Sequence, residues 1–252
     1  MDIARYTERF ERYVAQEKAL ERGDTGPMDL KWEHTMRVVD NARTIVGKEG
    51  VSEDLAHMCL LAALLHDIAR FEQYRLYHTF KDRDSINHGH RGVVLVKKTG
   101  IVADEPLDVQ HAVMSAVCLH NAFQLPRCVP EPALFITKVT RDADKLDIVR
   151  IIHGHLAAKS PYQKTVILQL PDDERIWSET VITRVLHNSV ASYGDLRSVN
   201  DFRLLLASWI WDLHFVTSKA LFVEQGFARR LVEAVPEEGV YKEARAHMLT
   251  FL

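Results

Sequence analysis

Leu60-Leu-Ala-Ala-Leu-Leu65-His66-Asp67 decides how this chain reads. Six apolar residues run into a histidine and an aspartate at the end of a segment, 52–67, whose apolar spacing of three and four marks a helix. A carboxylate beside so apolar a helix is costly to bury unless a cation or hydrogen bonds compensate it, and a metal ion is the natural compensation. Partners for it are to be sought among the 13 histidines of the 252-residue chain, since imidazole is the commonest protein metal ligand.

Outward from that segment the same periodicity predicts helices near 2–22, 28–48, 88–99, 106–121, 131–150, 173–191, 198–224 and 228–249. Strand alternation is short-lived, and no Asn-Gly or Asp-Gly hairpin turn occurs. The fold class is all-α. Gly23-Asp-Thr-Gly-Pro27 separates the first two helices, Ser52 is a candidate N-cap, and Pro106 sits just inside a helix start. Residues 68–87 have the weakest helical pattern, between two strong helices, and read as a lid or site loop. Lys159-Ser-Pro-Tyr162 and Leu170-Pro-Asp-Asp173 mark a passage from a metal-binding helical domain, 1–155, to a carboxy-terminal helical extension, 156–252, packed on it.

A helix advances about 100° per residue, so faces can be assigned before any fold is assumed. His34 shares its face with Val38, Ala42 and Ile45; His66 with Leu55, Cys59 and Ala62; His88 with Gly92 and Leu95; His120 with Val109, Val113 and Ala116. Their helix-mates His57, His90 and His111 fall roughly 160–180° away and should face outward. One inward histidine is most often a hydrogen-bonded core residue. Four on four helices, with Asp67 beside one of them, point to a shared metal site. A second carboxylate is offered by Thr140-Arg-Asp-Ala-Asp-Lys-Leu-Asp147, where periodicity does not choose among Asp142, Asp144 and Asp147 and two of the three are solvated or structural.

These residues resemble the HD-domain phosphohydrolase superfamily, whose pattern is a histidine, a His-Asp pair and a later aspartate. His34 in Trp32-Glu-His-Thr-Met-Arg37, the pair in Leu65-His-Asp-Ile-Ala-Arg70, and Ala143-Asp-Lys-Leu-Asp147 match in order, and the last selects Asp144. His88 in Asn87-His-Gly-His-Arg-Gly92 and His120 in Ala116-Val-Cys-Leu-His-Asn121 match the two extra histidines of the dinuclear subset. The likeness spans roughly residues 30–150. Asn121-Ala-Phe-Gln stands where the cyclic-di-GMP phosphodiesterase branch carries Gly-Tyr-Pro, and the extra histidines differ from the mononuclear deoxynucleotide monophosphatases. The motif layout is most similar to dinuclear HD hydrolases, including those acting on diadenosine polyphosphates.

The resemblance implies an HD-type helical bundle holding one or two divalent transition metal ions, for which imidazole and carboxylate donors suit Fe, Mn, Zn or Co. It implies that Asp67 bridges, with His34, His66 and Asp144 completing one position and His88 and His120 the other. Asp67 and His66 would then be catalytic, through a metal-activated water that cleaves a small phosphorylated substrate such as a nucleotide or dinucleoside polyphosphate. Arg37, Arg70 and Lys145 lie within a turn of the ligands and read as phosphate contacts or as surface cations, with Lys81 and Arg83 weaker. HD-domain di-iron oxygenases share the six-ligand pattern and are the alternative; a noncatalytic HD-type binding or sensor module is the third reading, which an intact ligand set disfavours.

The rest of the composition sets limits. With 47% hydrophobic and 27% charged residues the chain is an ordinary globular protein, and 35 acids mixed with 32 bases leave no extended nucleic-acid surface. Cys59, Cys118 and Cys128 have no metal or disulfide spacing, and no stretch approaches the roughly 18–20 apolar residues of a membrane span, so the expectation is a cytoplasmic protein with no membrane partner. The helix bearing Trp209, Trp211, Phe215 and Phe222 is apolar on more than one side and reads as core or as a contact between copies in a homo-oligomer.

Overall fold

The computed structural model describes residues 2–157 and 168–252, so Lys159-Ser-Pro-Tyr162 lies outside the described residues. Among the described residues there are helices, turns and no strand. Contacts divide the chain into two compact units, Met1–Asp144 and Lys145–Leu252.

The first unit contains α1 (Ala4–Leu20), α2 (Gly26–Glu49), α3 (Glu53–Leu65), α4 (Ala69–Tyr77), α5 (His88–Thr99), α6 (Leu107–Leu119) and the first turns of α7 (Ala133–Ala157). α3 is its centre: α1, α2 and α6 pack on it, and every residue from Cys59 to Leu65 is fully buried. A helix apolar all round has no solvent face to offer, and each leucine so buried contributes about 1.5–3 kcal/mol. Its start is fixed by the Ser52 hydroxyl, which accepts from Leu55 N–H at 3.3 Å. Pro27 opens α2, and Gly50, at φ +66°, closes it in the left-handed conformation that favours glycine.

Two expectations fail here for identifiable reasons. Residues 69–77 form α4 and are not loop. Its buried face carries Glu72 and Gln73, so the apolar period is absent. Arg91 satisfies Glu72 at 2.6 and 2.9 Å, and Ser85 accepts from Gln73 Nε2 at 2.8 Å. His57 is half-buried, because α1 covers the face of α3 opposite His66; its Nε2 lies 2.9 Å from Glu105 Oε1 and its ring 5.8 Å from that of Tyr6.

α5 and α6 approach closely. A Cβ on Gly89 would lie 2.6 Å from Asn121 Oδ1 and 2.7 Å from the Cys118 carbonyl oxygen, and one on Gly92 would lie 2.7 Å from Val117 Cγ1. The glycines of Asn87-His-Gly-His-Arg-Gly92 are thus what lets His88 come up to the end of α6.

The second unit continues α7 and adds α8 (Glu179–Leu186), α9 (Val199–Ser208), α10 (Val216–Glu224), α11 (Phe227–Glu233) and α12 (Lys242–Leu249). The long helix expected over 198–224 is interrupted by a 3-10 turn at Trp209–Trp211, with Phe215 extended. No glycine or proline marks that break; Lys145, which ion-pairs with Asp212 and reaches its carbonyl oxygen at 3.4 Å, ties down the turn. The helix expected over 228–249 breaks after Glu233, where Pro236 lacks the N–H a helix needs and restricts Val235. Trp209 and Phe222 are buried and Trp211 and Phe215 half-buried. Among the described residues no helix is long and apolar enough to cross a membrane.

Candidate metal centre

α3 ends at His66 and α6 ends at His120, each in the C-cap position. The last carbonyls of a helix lack intrahelical partners, and both rings answer this in the same way. His66 Nδ1 donates to the Ala63 carbonyl oxygen at 2.7 Å and His120 Nδ1 donates to that of Val117 at 2.8 Å. A carbonyl can only accept, so the Nδ1–H tautomer is fixed and Nε2 of each neutral ring presents a lone pair. His88, the first residue of α5, is held by a carboxylate instead: its Nδ1 donates to Asp82 Oδ2 at 2.6 Å. His34 is buried on α2, and Asp144 reaches it from α7, whose backbone is tied to α2 by Asn41 Nδ2 donating to the Ala143 carbonyl at 3.0 Å.

Two groups of ligands result, His34 with His66 and Asp144, and Asp67 with His88 and His120. In the first, His34 Nε2 lies 3.0 Å and His66 Nε2 3.7 Å from Asp144 Oδ1. Asp67 joins the groups: its Oδ2 is 3.7 Å from His34 Nε2 and 3.6 Å from His66 Nε2, while its Oδ1 is 3.5 Å from His88 Nε2 and 3.8 Å from His120 Nε2. Donors bonded to one ion at about 2.1 Å stand about 3.0–3.4 Å apart in octahedral or tetrahedral arrangement; the His34–Asp144 separation of 3.0 Å falls in that range, and the others, at 3.5–3.8 Å, lie a few tenths of an ångström outside it, so the donors would draw together on an ion.

The donor set also demands a cation. His66 is fully buried and its Nε2 has no hydrogen-bond partner, yet it faces two carboxylate oxygens. His88 Nε2 and His120 Nε2 meet at 3.0 Å, and with both Nδ1 atoms donating elsewhere two uncharged rings would have no proton to place between them. Opposed lone pairs in a buried site are unfavourable unless an electrophile lies between them. Burial pushes His66 down to about 4, and burial followed by the Arg70 charge pushes His88 down to about 3, despite Asp82. Both rings are therefore neutral ligands at pH 7. Burial opposes charge on Asp67, but the Lys31 ammonium and the Arg70 guanidinium outweigh it and hold the carboxyl well below the usual range.

Between the ordinary imidazole value of 6.5 and about 4, the unfolded chain binds protons at His66 and His88 that the folded chain does not. Metal-free protein should thus be fully stable above about pH 6.5 and lose on the order of a few kcal/mol as the pH falls through that window. Urea unfolding of chelator-treated protein at pH 7.5 and pH 4.5 checks this; equal midpoints at the two pH values contradict it.

Of the cations named from sequence, Arg70 sits at the centre. Its Nε is 3.3 Å from Asp67 Oδ1, and its Nη1 donates to Gln73 Oε1 at 2.8 Å, the Phe80 carbonyl at 2.6 Å and Asp82 Oδ1 at 2.9 Å. Arg37 is exposed and 3.5 Å from Glu33, Lys145 pairs with Asp212 in the second unit, and Arg83 is exposed and 3.3 Å from Asp84. Asp142 and Asp147 are both buried, the latter 2.6 Å from Arg150 Nε, so of the two roles expected for the other acids of that run, solvated or structural, both take the structural one. His90 and His111 are exposed, as their helix faces require.

Two residues escaped the sequence reading. Lys31 Nζ lies 2.7 Å from Asp67 Oδ2; it precedes His34 by three on the same helix face, a signal that was there to be used. Asp82 lies in the turn before α5 and collects His88, Arg70 and Asn121 Nδ2, the last at 3.2 Å. Nothing periodic marks it. Partners that orient a ligating imidazole typically affect metal affinity 10–100-fold, so Asp82→Asn should weaken metal binding by about that factor without removing any ligand. Competition with a chromogenic chelator measures this, and unchanged affinity would remove Asp82 from the site.

Five buried side chains, His34, His66, Asp67, His88 and His120, and the half-buried Asp144 thus form, in an all-α chain, two groups that could hold metal. The family model for the HD domain matches residues 32–148, which hold all six, and that stretch of the chain is an HD domain. No curated protein and no solved structure matches the chain. The match covers less than half of the chain; the HD domain is of metal-dependent phosphohydrolase type, and the match together with the two ligand groups implies a divalent metal at this stretch.

Proposed function

We propose that the protein is a dinuclear metal-dependent phosphohydrolase acting on a small phosphorylated substrate. The observation that carries the reading is the division of Asp67: one oxygen faces His34 and His66, and the other faces His88 and His120, all at 3.5–3.8 Å. A single bound ion would have no use for both sets. Two divalent ions would supply a nucleophilic water at neutral pH and neutralise charge on the phosphoryl oxygens.

The chain's own residues supply orientation and charge balance. The Ala63 and Val117 carbonyls and the Asp82 carboxylate fix three rings so that Nε2, and not Nδ1, points inward. Arg70 links Asp67 to Asp82, so the shared carboxylate and the orienting carboxylate move as one unit. Burial of the ligands excludes bulk water, which strengthens each charge interaction at the centre. No side-chain nucleophile is required.

Anaerobic assay of Mn-loaded protein against nucleotides, dinucleoside polyphosphates and simple phosphoesters tests the proposal. Release of phosphate or nucleotide without oxygen is expected. Iron-dependent oxygen uptake stoichiometric with product, with no hydrolysis by the Mn form, would replace it with the oxygenase reading.

A further inference from the structure

Lys31 is a charge that the ligand set does not need and that the fold nevertheless delivers to it. Among the described residues its side chain has two neighbours of note: Asp67 Oδ2, at 2.7 Å, and the ring of Phe80, whose centroid lies 5.5 Å from Nζ. The Phe80 ring lies also 5.9 Å from the Arg70 guanidinium carbon and 5.4 Å from the Tyr74 ring. The lysine side chain is 19% exposed, against 4% for that of Asp67 and 1% for that of His34, so it stands where the buried centre meets solvent.

Asp67 Oδ2 is claimed twice. It faces His34 and His66, the donors of one ligand group, and it accepts from the Lys31 ammonium. Without metal, Lys31 is the counter-ion of a buried carboxylate. A divalent ion held by His34, His66 and Asp67 would supply the neutralisation in its place and bring like charge against the ammonium, which would weaken the hold of Lys31 on Asp67. Lysine has a flexible stem and a compact charge that can turn about it, whereas Arg70 is fixed by acceptors on Gln73, Phe80 and Asp82. An ammonium released beside a metal centre, at its solvent edge, is suited to a phosphoryl oxygen of the incoming substrate.

We propose that Lys31 is an exchangeable counter-ion: it neutralises Asp67 until metal binds, then serves as the phosphate-binding cation of the site. This rests on the metal-centre reading above and assigns the anion subsite within it. Lys31 is a positioning and binding residue. One consequence separates it from a plain phosphate ligand: its removal should help metal binding and harm phosphate binding.

The test uses full-length wild-type protein, Lys31→Met and Lys31→Arg, each titrated calorimetrically with Mn(II) alone and, once loaded, with inorganic phosphate. For Lys31→Met we expect Mn(II) to bind several-fold more tightly and phosphate about tenfold or more weakly, as loss of one charge-assisted hydrogen bond requires. Lys31→Arg should restore phosphate binding to within a few-fold of wild type. Circular dichroism of the Mn-loaded variants establishes that they are folded. If Lys31→Met binds Mn(II) no more tightly than wild type, the exchange is overturned; if it binds phosphate as well as wild type, the subsite is overturned. Should both effects appear while the Mn form hydrolyses no phosphoester, the Lys31 assignment stands and the hydrolase reading falls.

Discussion

Asp67→Ala should remove both metal ions and lower phosphoester turnover by at least about a thousandfold. The size of the effect follows from the double role of one side chain. Each of its oxygens faces two imidazole nitrogens, at 3.6 and 3.7 Å for Oδ2 and at 3.5 and 3.8 Å for Oδ1. The substitution also leaves Lys31 without its carboxylate and Arg70 with Asp82 alone, and loss of one partner from a buried ion pair costs about 3–5 kcal/mol. Asp67→Asn, which keeps the shape, is the companion variant: it should be less destabilised yet equally poor at holding metal, since an amide brings no negative charge. Elemental analysis after dialysis, with a thermal melt on the same samples, reads both effects. Two equivalents of metal and full activity in either variant would end the bridging assignment.

The second large effect is selective. His88→Ala or His120→Ala should strip one metal preferentially, and His34→Ala should strip the other, each lowering turnover about a hundredfold or more. His88 and His120 meet each other at 3.0 Å and touch only the Oδ1 side of Asp67, while His34 lies 3.0 Å from Asp144 on the other side. The exposed helix-mates His90 and His111 supply the control. If alanine at either lowered metal content as much as at His88 or His120, helix geometry would not be what selects the ligands.

The histidine faces were legible because they depend only on helical pitch and an apolar stripe. His34, His66, His88 and His120 sit on helices whose inward residues are consistently apolar, and those four rings are buried while His90 and His111 are not. Asp144 was singled out from its neighbours only by resemblance, because all three acids of its run are in fact largely buried and a period cannot rank them. α4 was illegible for the opposite reason: its inward face is polar, and Glu72 and Gln73 are satisfied by Arg91, Asp82 and Ser85, which no local pattern announces. The break at Trp209–Trp211 lacks any glycine or proline, so it too is a product of tertiary contacts. Asp82 and Lys31 were missed differently. Asp82 acts from a turn, where periodicity says nothing, whereas Lys31 lay on a readable face and was passed over because a lysine there looks like a surface charge.

The central claim is that one carboxylate, Asp67, joins two metal ions. Electron paramagnetic resonance of the protein loaded with Mn(II) tests it most directly, because two Mn(II) ions bridged by one carboxylate are spin-coupled and separate ions are not. The account predicts two Mn(II) per chain with a coupled spectrum in the wild type, lost in Asp67→Ala. A single uncoupled Mn(II) per chain, unchanged by that substitution, would contradict it.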